Sequence, residues 1–100
     1  MMLHTVNKSP FEKNSLNSCL NCVAEGSAVL LIEDGVYGAL NGSAVADKVK
    51  DAMGKVTIYA LGPDLDARGI ADKVIDGIKV VDYAGFVALA AENDKVQSWL

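Results

Sequence analysis

The chain has 100 residues, of which 51% are hydrophobic and 22% charged, so it holds one domain with one core, and two domains are excluded. Lys and Arg number 9 against 13 Asp and Glu, for a formal net charge of −4. Without a basic stripe to neutralise phosphates, direct binding of nucleic acid is excluded as well. A small domain leaves much of its surface exposed, so the apolar-rich composition predicts burial against partner subunits.

The sequence also predicts a compartment. Its first residues contain no apolar run of signal-peptide length, and no later stretch reaches the about 18 apolar residues of a membrane span. We therefore expect a cytoplasmic protein without membrane contact. In that reducing compartment the two cysteines, Cys19 and Cys22, are expected to be thiols.

The first two predicted elements are a strand and a helix. Residues 3–6 are apolar enough for a short strand. A helix follows over residues 10–24 or 14–24, because apolar residues recur there at helical spacing. Ser9 and Asn14 compete as its N-cap, and the sequence pattern leaves both open.

The rest of the chain alternates between strands and helices. Residues 28–32 form an uncharged apolar run, which is typical of a strand covered on both faces in a parallel sheet. Ser43 is the predicted N-cap of a second helix, which Gly54 ends. The remaining predictions are a strand at residues 55–61, a loop or single helical turn at 66–69, a strand at 78–81 and a last helix at 83–92.

This alternation predicts an α/β fold. We expect a single domain over residues 1–100, with a mostly parallel sheet of about four or five strands flanked by helices. Such a sheet is the centre of the three-layer flavodoxin-like and Rossmann-like folds, whose functional groups lie beyond the carboxyl ends of the strands. Residues 7–10, 33–37 and 62–66 are predicted to lie at that edge.

The two cysteines form a C-x-x-C pattern, which is also found in redox dithiols. In that chemistry the pair begins a helix, whose dipole lowers the pKa of the first thiol. Here both lie inside the predicted helix, which favours packing at the edge of the core. Helical geometry places Cys19 at the edge of the buried face, accessible from one side, and turns Cys22 toward the polar side.

Other residues have two interpretations each. His4 is a packed core residue or the base for a cysteine nucleophile. Asp64, Asp66 and Arg68 form a turn, which is favoured, or part of an active site. Trp99 docks on the core or on an interface. With one His and no second C-x-x-C, the sequence predicts no metal, and the absence of a Gly-rich phosphate loop predicts no nucleotide cofactor.

Several blocks of sequence together point to one family. They are LHTVNKSPF from Leu3, the single position Cys19, EDGVY from Glu33, YALGPD from Tyr59 and VQSWL from Val96. On these blocks the chain resembles the DsrH/TusB family, over nearly its whole length, and more DsrH than TusB. Members of this family are small subunits of the DsrEFH and TusBCD-like sulfur-relay (sulfurtransferase) complexes.

The resemblance implies a DsrE-like fold and a heterohexamer with DsrE/TusD-like and DsrF/TusC-like subunits. That complex passes persulfide sulfur to a DsrC/TusE-like acceptor, and its principal sulfur-carrying cysteine belongs to the DsrE/TusD-like subunit. Cys19 matches a cysteine in the first helix of DsrH-like chains and is expected to be an accessory persulfide carrier. Cys22 has no counterpart. Activation of Cys19 would require a cation such as Lys8, Lys13 or a partner's side chain.

Two functions follow from the resemblance. The first is a DsrH-like subunit in dissimilatory sulfur oxidation, with Cys19 as a carrier. The alternative is a TusB-like structural subunit of the relay for tRNA 2-thiouridine synthesis, in which Cys19 is passive. A free-standing redox module that uses Cys19 and Cys22 is a third, weaker alternative.

Overall fold

The computed structural model describes residues 2–100 and contains a five-stranded parallel sheet. Its spatial order is β4-β3-β2-β1-β5, and all neighbouring strands are parallel. The α/β class and the parallel sheet are therefore confirmed. The strands are β1 (Met2–Val6), β2 (Ala28–Leu31), β3 (Thr57–Leu61), β4 (Lys79–Val81) and β5 (Lys95–Trp99).

Helices connect the strands. They are α1 (Ser15–Cys22), α2 (Ala46–Ala52), α3 (Gly62–Ala67) and α4 (Tyr83–Glu92), with short 3-10 helices at Glu33–Ala39 and Ala71–Lys73. The last helix has the predicted bounds, because Asp82 caps it and accepts a hydrogen bond from the Gly85 N–H at 2.8 Å. None of the helices within residues 2–100 has the length and apolar character needed to cross a membrane.

Each face of the sheet has its own core. Alternate residues of β1, β2 and β3 point to a larger core shared with α1, α2 and α3, which we call the α1 face. The other residues of these strands pack under α4, on the α4 face, where Leu89 is the buried helical contact. The α1 face includes Val6, Val29, Leu31, Ile58 and Ala60, and the α4 face includes Leu3, Ala28 and Leu30.

The start of the first helix decides between its two predicted N-caps. The helix begins at Ser15 after Asn14, so the 14–24 alternative is the better one, although the Asn14 side chain makes no capping bond. Ser9 instead closes the turn that precedes the helix. Its hydroxyl accepts a hydrogen bond from the Phe11 N–H at 3.2 Å, and its carbonyl accepts one from the Lys13 N–H at 3.0 Å.

Two other predictions are wrong. Ser43 does not cap the second helix, which begins at Ala46, and the buried Ser43 hydroxyl has no hydrogen-bond partner among the described residues. Residues 62–67 form α3, although only a loop or single helical turn at residues 66–69 was expected. Pro63 lies in the first turn of α3, where its missing N–H costs nothing because no helical acceptor exists there.

Candidate functional site

Two of the three loops predicted at the carboxyl edge of the sheet are joined there by a hydrogen bond from a backbone N–H to a carboxylate. The Glu33 N–H, which follows β2, donates to Asp64 Oδ2 at 2.6 Å, and Asp64 lies in the first turn of α3 after β3. Glu33 has a φ of 50°, a left-handed conformation that residues other than glycine rarely adopt. The charged acceptor on α3 thus holds the start of the 3-10 helix Glu33–Ala39 in a strained backbone conformation.

Arg68 closes the same cluster. Its Nε and Nη2 atoms donate to Asp34 Oδ1 at 3.0 and 2.8 Å, and its Nη1 donates to the Asp64 carbonyl at 3.2 Å. The hydrogen bond to Asp34 is the main cause that raises the pKa of Arg68. Asp66 lies exposed on α3, outside this network. Asp64 and Asp66 therefore lie in a helix and not in the favoured turn, and Asp64 and Arg68 hold the loop after β2 against α3.

The 3-10 helix Glu33–Ala39 contacts the backbone at the end of β1, where the third loop, residues 7–10, begins. A Cβ atom on Gly35 would lie 2.0 Å from the Val6 carbonyl oxygen, so no other residue fits at position 35 without a backbone shift. The 3-10 helix Glu33–Ala39 therefore rests directly on the end of β1. Asn7 follows at this point, and its buried Oδ1 has no hydrogen-bond partner among residues 2–100.

Cys19 is completely buried, with 0% of its surface exposed, so the predicted access from one side is wrong. Its side chain belongs to the core of the α1 face, against which Trp99 also packs. Burial is the main cause that raises the pKa of the Cys19 thiol to about 12, and the charge of Cys22 raises it further. At pH 7 such a thiol is almost entirely protonated.

Cys22 is exposed, as its helical angle predicts. It is the last residue of α1, which connects the end of β1 with the start of β2 and so runs antiparallel to both strands. Cys22 therefore lies toward the amino edge of the sheet, away from the loops of the carboxyl edge. Lys8 and Lys13, the expected activating cations, lie in the loop at the opposite end of α1.

His4 is a packed core residue, which confirms the first of its two interpretations. It is 6% exposed, and its Nδ1 accepts a hydrogen bond from Trp99 Nε1 at 3.0 Å. Burial lowers the pKa of His4, which favours the neutral imidazole that this bond requires. Both residues are therefore used in joining β5 to β1. Within the described part of the chain, no group of three or more His, Cys, Asp and Glu could hold a metal ion.

A family model and several related proteins match this chain. The family described as "DsrH like protein" matches residues 8–96. The chain belongs to the DsrH-like family. Its relatives include Protein TusB of Erwinia tasmaniensis, at 39% identity, and Protein TusB of Pectobacterium parmentieri, at 35%. Protein TusB of Escherichia coli is 33% identical. Each match covers 98% of this chain and 100% of the relative.

Solved structures share the fold of this DsrH-like chain. The ychN protein from Escherichia coli aligns with a TM-score of 0.79 at 18% identity, over 97% of both chains. A protein of unknown function from Methanobacterium thermoautotrophicum aligns with a TM-score of 0.74 at 18% identity, over 97% of this chain and 96% of that one. At these identities the likeness shows the architecture alone.

The pairing of Asp34 with Arg68 was not predicted from the sequence. A signal for it was present, because two opposite charges follow neighbouring parallel strands at the edge where loops converge. The left-handed Glu33 had no such signal. It depends on an acceptor that stands 31 residues later in the chain.

Proposed function

We propose that this DsrH-like chain is a TusB-like, non-catalytic subunit of a cytoplasmic sulfur-relay complex that serves tRNA 2-thiouridine synthesis. The observation that carries the proposal is the match to TusB proteins at 33–39% identity over 98% of the chain. Dissimilatory sulfur oxidation, the first interpretation of the sequence, finds no support among these relatives. The alternative, in which Cys19 is passive, agrees with both the relatives and the burial of Cys19.

The chemistry of sulfur transfer supports a passive Cys19. In each step a thiolate attacks the outer sulfur of a donor persulfide, so a new persulfide forms on the acceptor and the donor leaves as a thiolate. The acceptor must therefore be exposed and ionised. Cys19 is neither, because it is buried and its pKa is raised to about 12. We infer that the relay cysteine belongs to a TusD-like sister subunit and that this chain supplies binding surfaces.

The proposed assembly is a heterohexamer with TusC-like and TusD-like subunits that delivers sulfur to a TusE-like acceptor. Its composition is testable by co-expression of the three chains, followed by light scattering of the purified complex. An assembly with two copies of each chain is the expected result. If the chain does not co-purify with either sister subunit, it is not a TusB-like subunit.

Peptide mass spectrometry tests the role of the cysteine. The assembled complex is treated with polysulfide, and a carrier cysteine gains mass in steps of about 32 Da that a reductant removes. We expect Cys19 to gain no sulfur and the Cys19→Ala complex to transfer sulfur at the wild-type rate. Cys22→Ser is the matched control at the exposed thiol. Loading of Cys19, with much of the transfer retained in Cys19→Ala, would restore the accessory-carrier interpretation.

A further inference from the structure

The outer surface of α4 is apolar from Tyr83 to Ala91. The side chains that it turns away from the sheet form one helical stripe, which we call the α4 surface: Tyr83, Ala84, Val87, Ala88 and Ala91. Tyr83 is 61% exposed and Val87 is 69% exposed, and the sequence contains no charged residue between positions 83 and 91. A solvated surface helix normally has charged or polar residues on this side.

The two faces of the sheet differ in how they are covered. The α1 face is packed under α1, α2 and α3, whose outward positions include Asn17, Asp47 and Lys50. On the α4 face, α4 is the one helix that residues 2–100 provide. The helix thus buries Leu89 against the sheet and leaves a second apolar side uncovered. A contiguous apolar surface of this kind marks a protein–protein contact.

Charges at the ends of α4 argue against a second copy of the chain on this surface. Asp82 caps the start of the helix and Glu92 ends it, and both are exposed. In a two-fold dimer with antiparallel helices, Asp82 would face Glu92 of the second copy. With parallel helices, Asp82 would face Asp82. Both arrangements place like charges together, and the net charge of −4 adds to the repulsion.

We propose that the α4 surface binds a sister subunit of different sequence, whose contact surface is apolar at its centre and basic at both ends. The inference rests on the proposed function, since the partner is a subunit of the same relay complex. Apolar contact with Tyr83 and Val87 would supply most of the affinity, and Lys or Arg opposite Asp82 and Glu92 would fix the orientation.

Co-expression with tagged TusC-like and TusD-like subunits tests the surface. Val87→Glu is expected to weaken assembly at least about 10-fold, because it places a charge in the apolar contact. Val80→Glu is the matched control, because Val80 is the same residue type, 55% exposed, on the opposite face of the sheet. It should assemble like the wild type. Glu92→Lys should weaken assembly at low salt, with a smaller effect at high salt.

Thermal unfolding of each isolated variant must give the wild-type melting temperature, so that lost assembly reports the surface and not the fold. If wild type, Val87→Glu and Val80→Glu assemble equally, the α4 inference is wrong and the proposed function stands. If the wild type itself fails to assemble with either subunit, the proposed function fails and the inference falls with it. If the wild type alone forms dimers that Val87→Glu dissociates, a second copy is the partner and the inference is wrong.

Discussion

Trp99 Nε1 donates a hydrogen bond to His4 Nδ1 at 3.0 Å, across the pairing of β5 with β1. The two rings are tilted by 34°, with centroids 6.2 Å apart. Thr5 and Ser98 add a hydroxyl contact at 3.4 Å between the same strands, and the Ser15 hydroxyl donates to the Leu100 carbonyl at 2.9 Å. These bonds hold β5 to β1 and, at Leu100, to the start of α1.

This pair makes the stability of the domain depend on pH. Burial lowers the pKa of His4 from its ordinary value of 6.5, so the unfolded chain binds the proton more tightly. The contribution of neutral His4 is therefore complete above pH 6.5 and is lost as the pH falls through the lower folded-state pKa. Urea unfolding at pH 7.5 and 5.5 should show lower stability at the acidic pH. His4→Asn, which keeps an acceptor but does not titrate, should reduce this difference, and an unchanged difference would exclude His4 as its source.

Trp99 and Leu100 should differ sharply in their contributions. Trp99 packs against the core of the α1 face, whereas Leu100 is 78% exposed. Trp99→Ala should lower the free energy of unfolding by about 2–4 kcal/mol, since it removes both packing and a hydrogen bond. Leu100→Ala is the control and should change it by less than about 0.5 kcal/mol. Equal effects in urea unfolding would mean that Trp99 is not docked as described.

The two cysteines should react at very different rates with a thiol reagent. Cys22 should label in the native protein within minutes, and Cys19 only when the domain opens, because it is buried and its pKa is raised to about 12. Cys19→Ser should cost about 1–3 kcal/mol, because a hydroxyl replaces a thiol in an apolar core. Cys22→Ser should cost nearly nothing. Rapid labelling of Cys19 in the native Cys22→Ser variant would contradict the buried position.

Gly35 and Gly42 are required for different reasons. At Gly35 a side chain would clash with the backbone, whereas at Gly42 the backbone has a positive φ. Gly35→Ala places a Cβ on the Val6 carbonyl oxygen and should destabilise the domain by more than about 3 kcal/mol or prevent folding. Gly42 has a φ of 80° with open space around it, so Gly42→Ala should cost only about 1 kcal/mol. Urea unfolding of the two variants measures both. Similar losses would mean that the 3-10 helix moves easily off β1.

The local sequence pattern was sufficient to predict β2 and α4. The run at residues 28–32 has no charge and is typical of a strand covered on both faces, and α4 has an uninterrupted apolar run between Asp82 and Glu92. Lys95–Trp99 was not predicted as a strand. It is an edge strand with four exposed residues, so its sequence lacks the apolar run that marks the central strands.

The access predicted for Cys19 took no account of β5, which was not predicted. The angular position of a residue on its helix predicts its solvent exposure only when the extent of the sheet beneath the helix is known. With β5 in place, the sheet extends past β1, and Trp99 packs against the cluster that contains Cys19. The cluster around Cys19 thus includes packing by a strand near the far end of the chain, which no local pattern contains.

The strand order also has a consequence for synthesis on the ribosome. Strands β1 to β4 and their helices are complete in the first 92 residues, but β1 gains its outer neighbour only when residues 95–99 emerge. Until then β1, whose residues Leu3–Val6 are buried in the finished domain, is an open strand edge. Such edges template aggregation, whereas β5 covers this one with Lys95, Gln97 and Ser98. A chain that stops before β5 therefore exposes a strand edge that the complete domain covers.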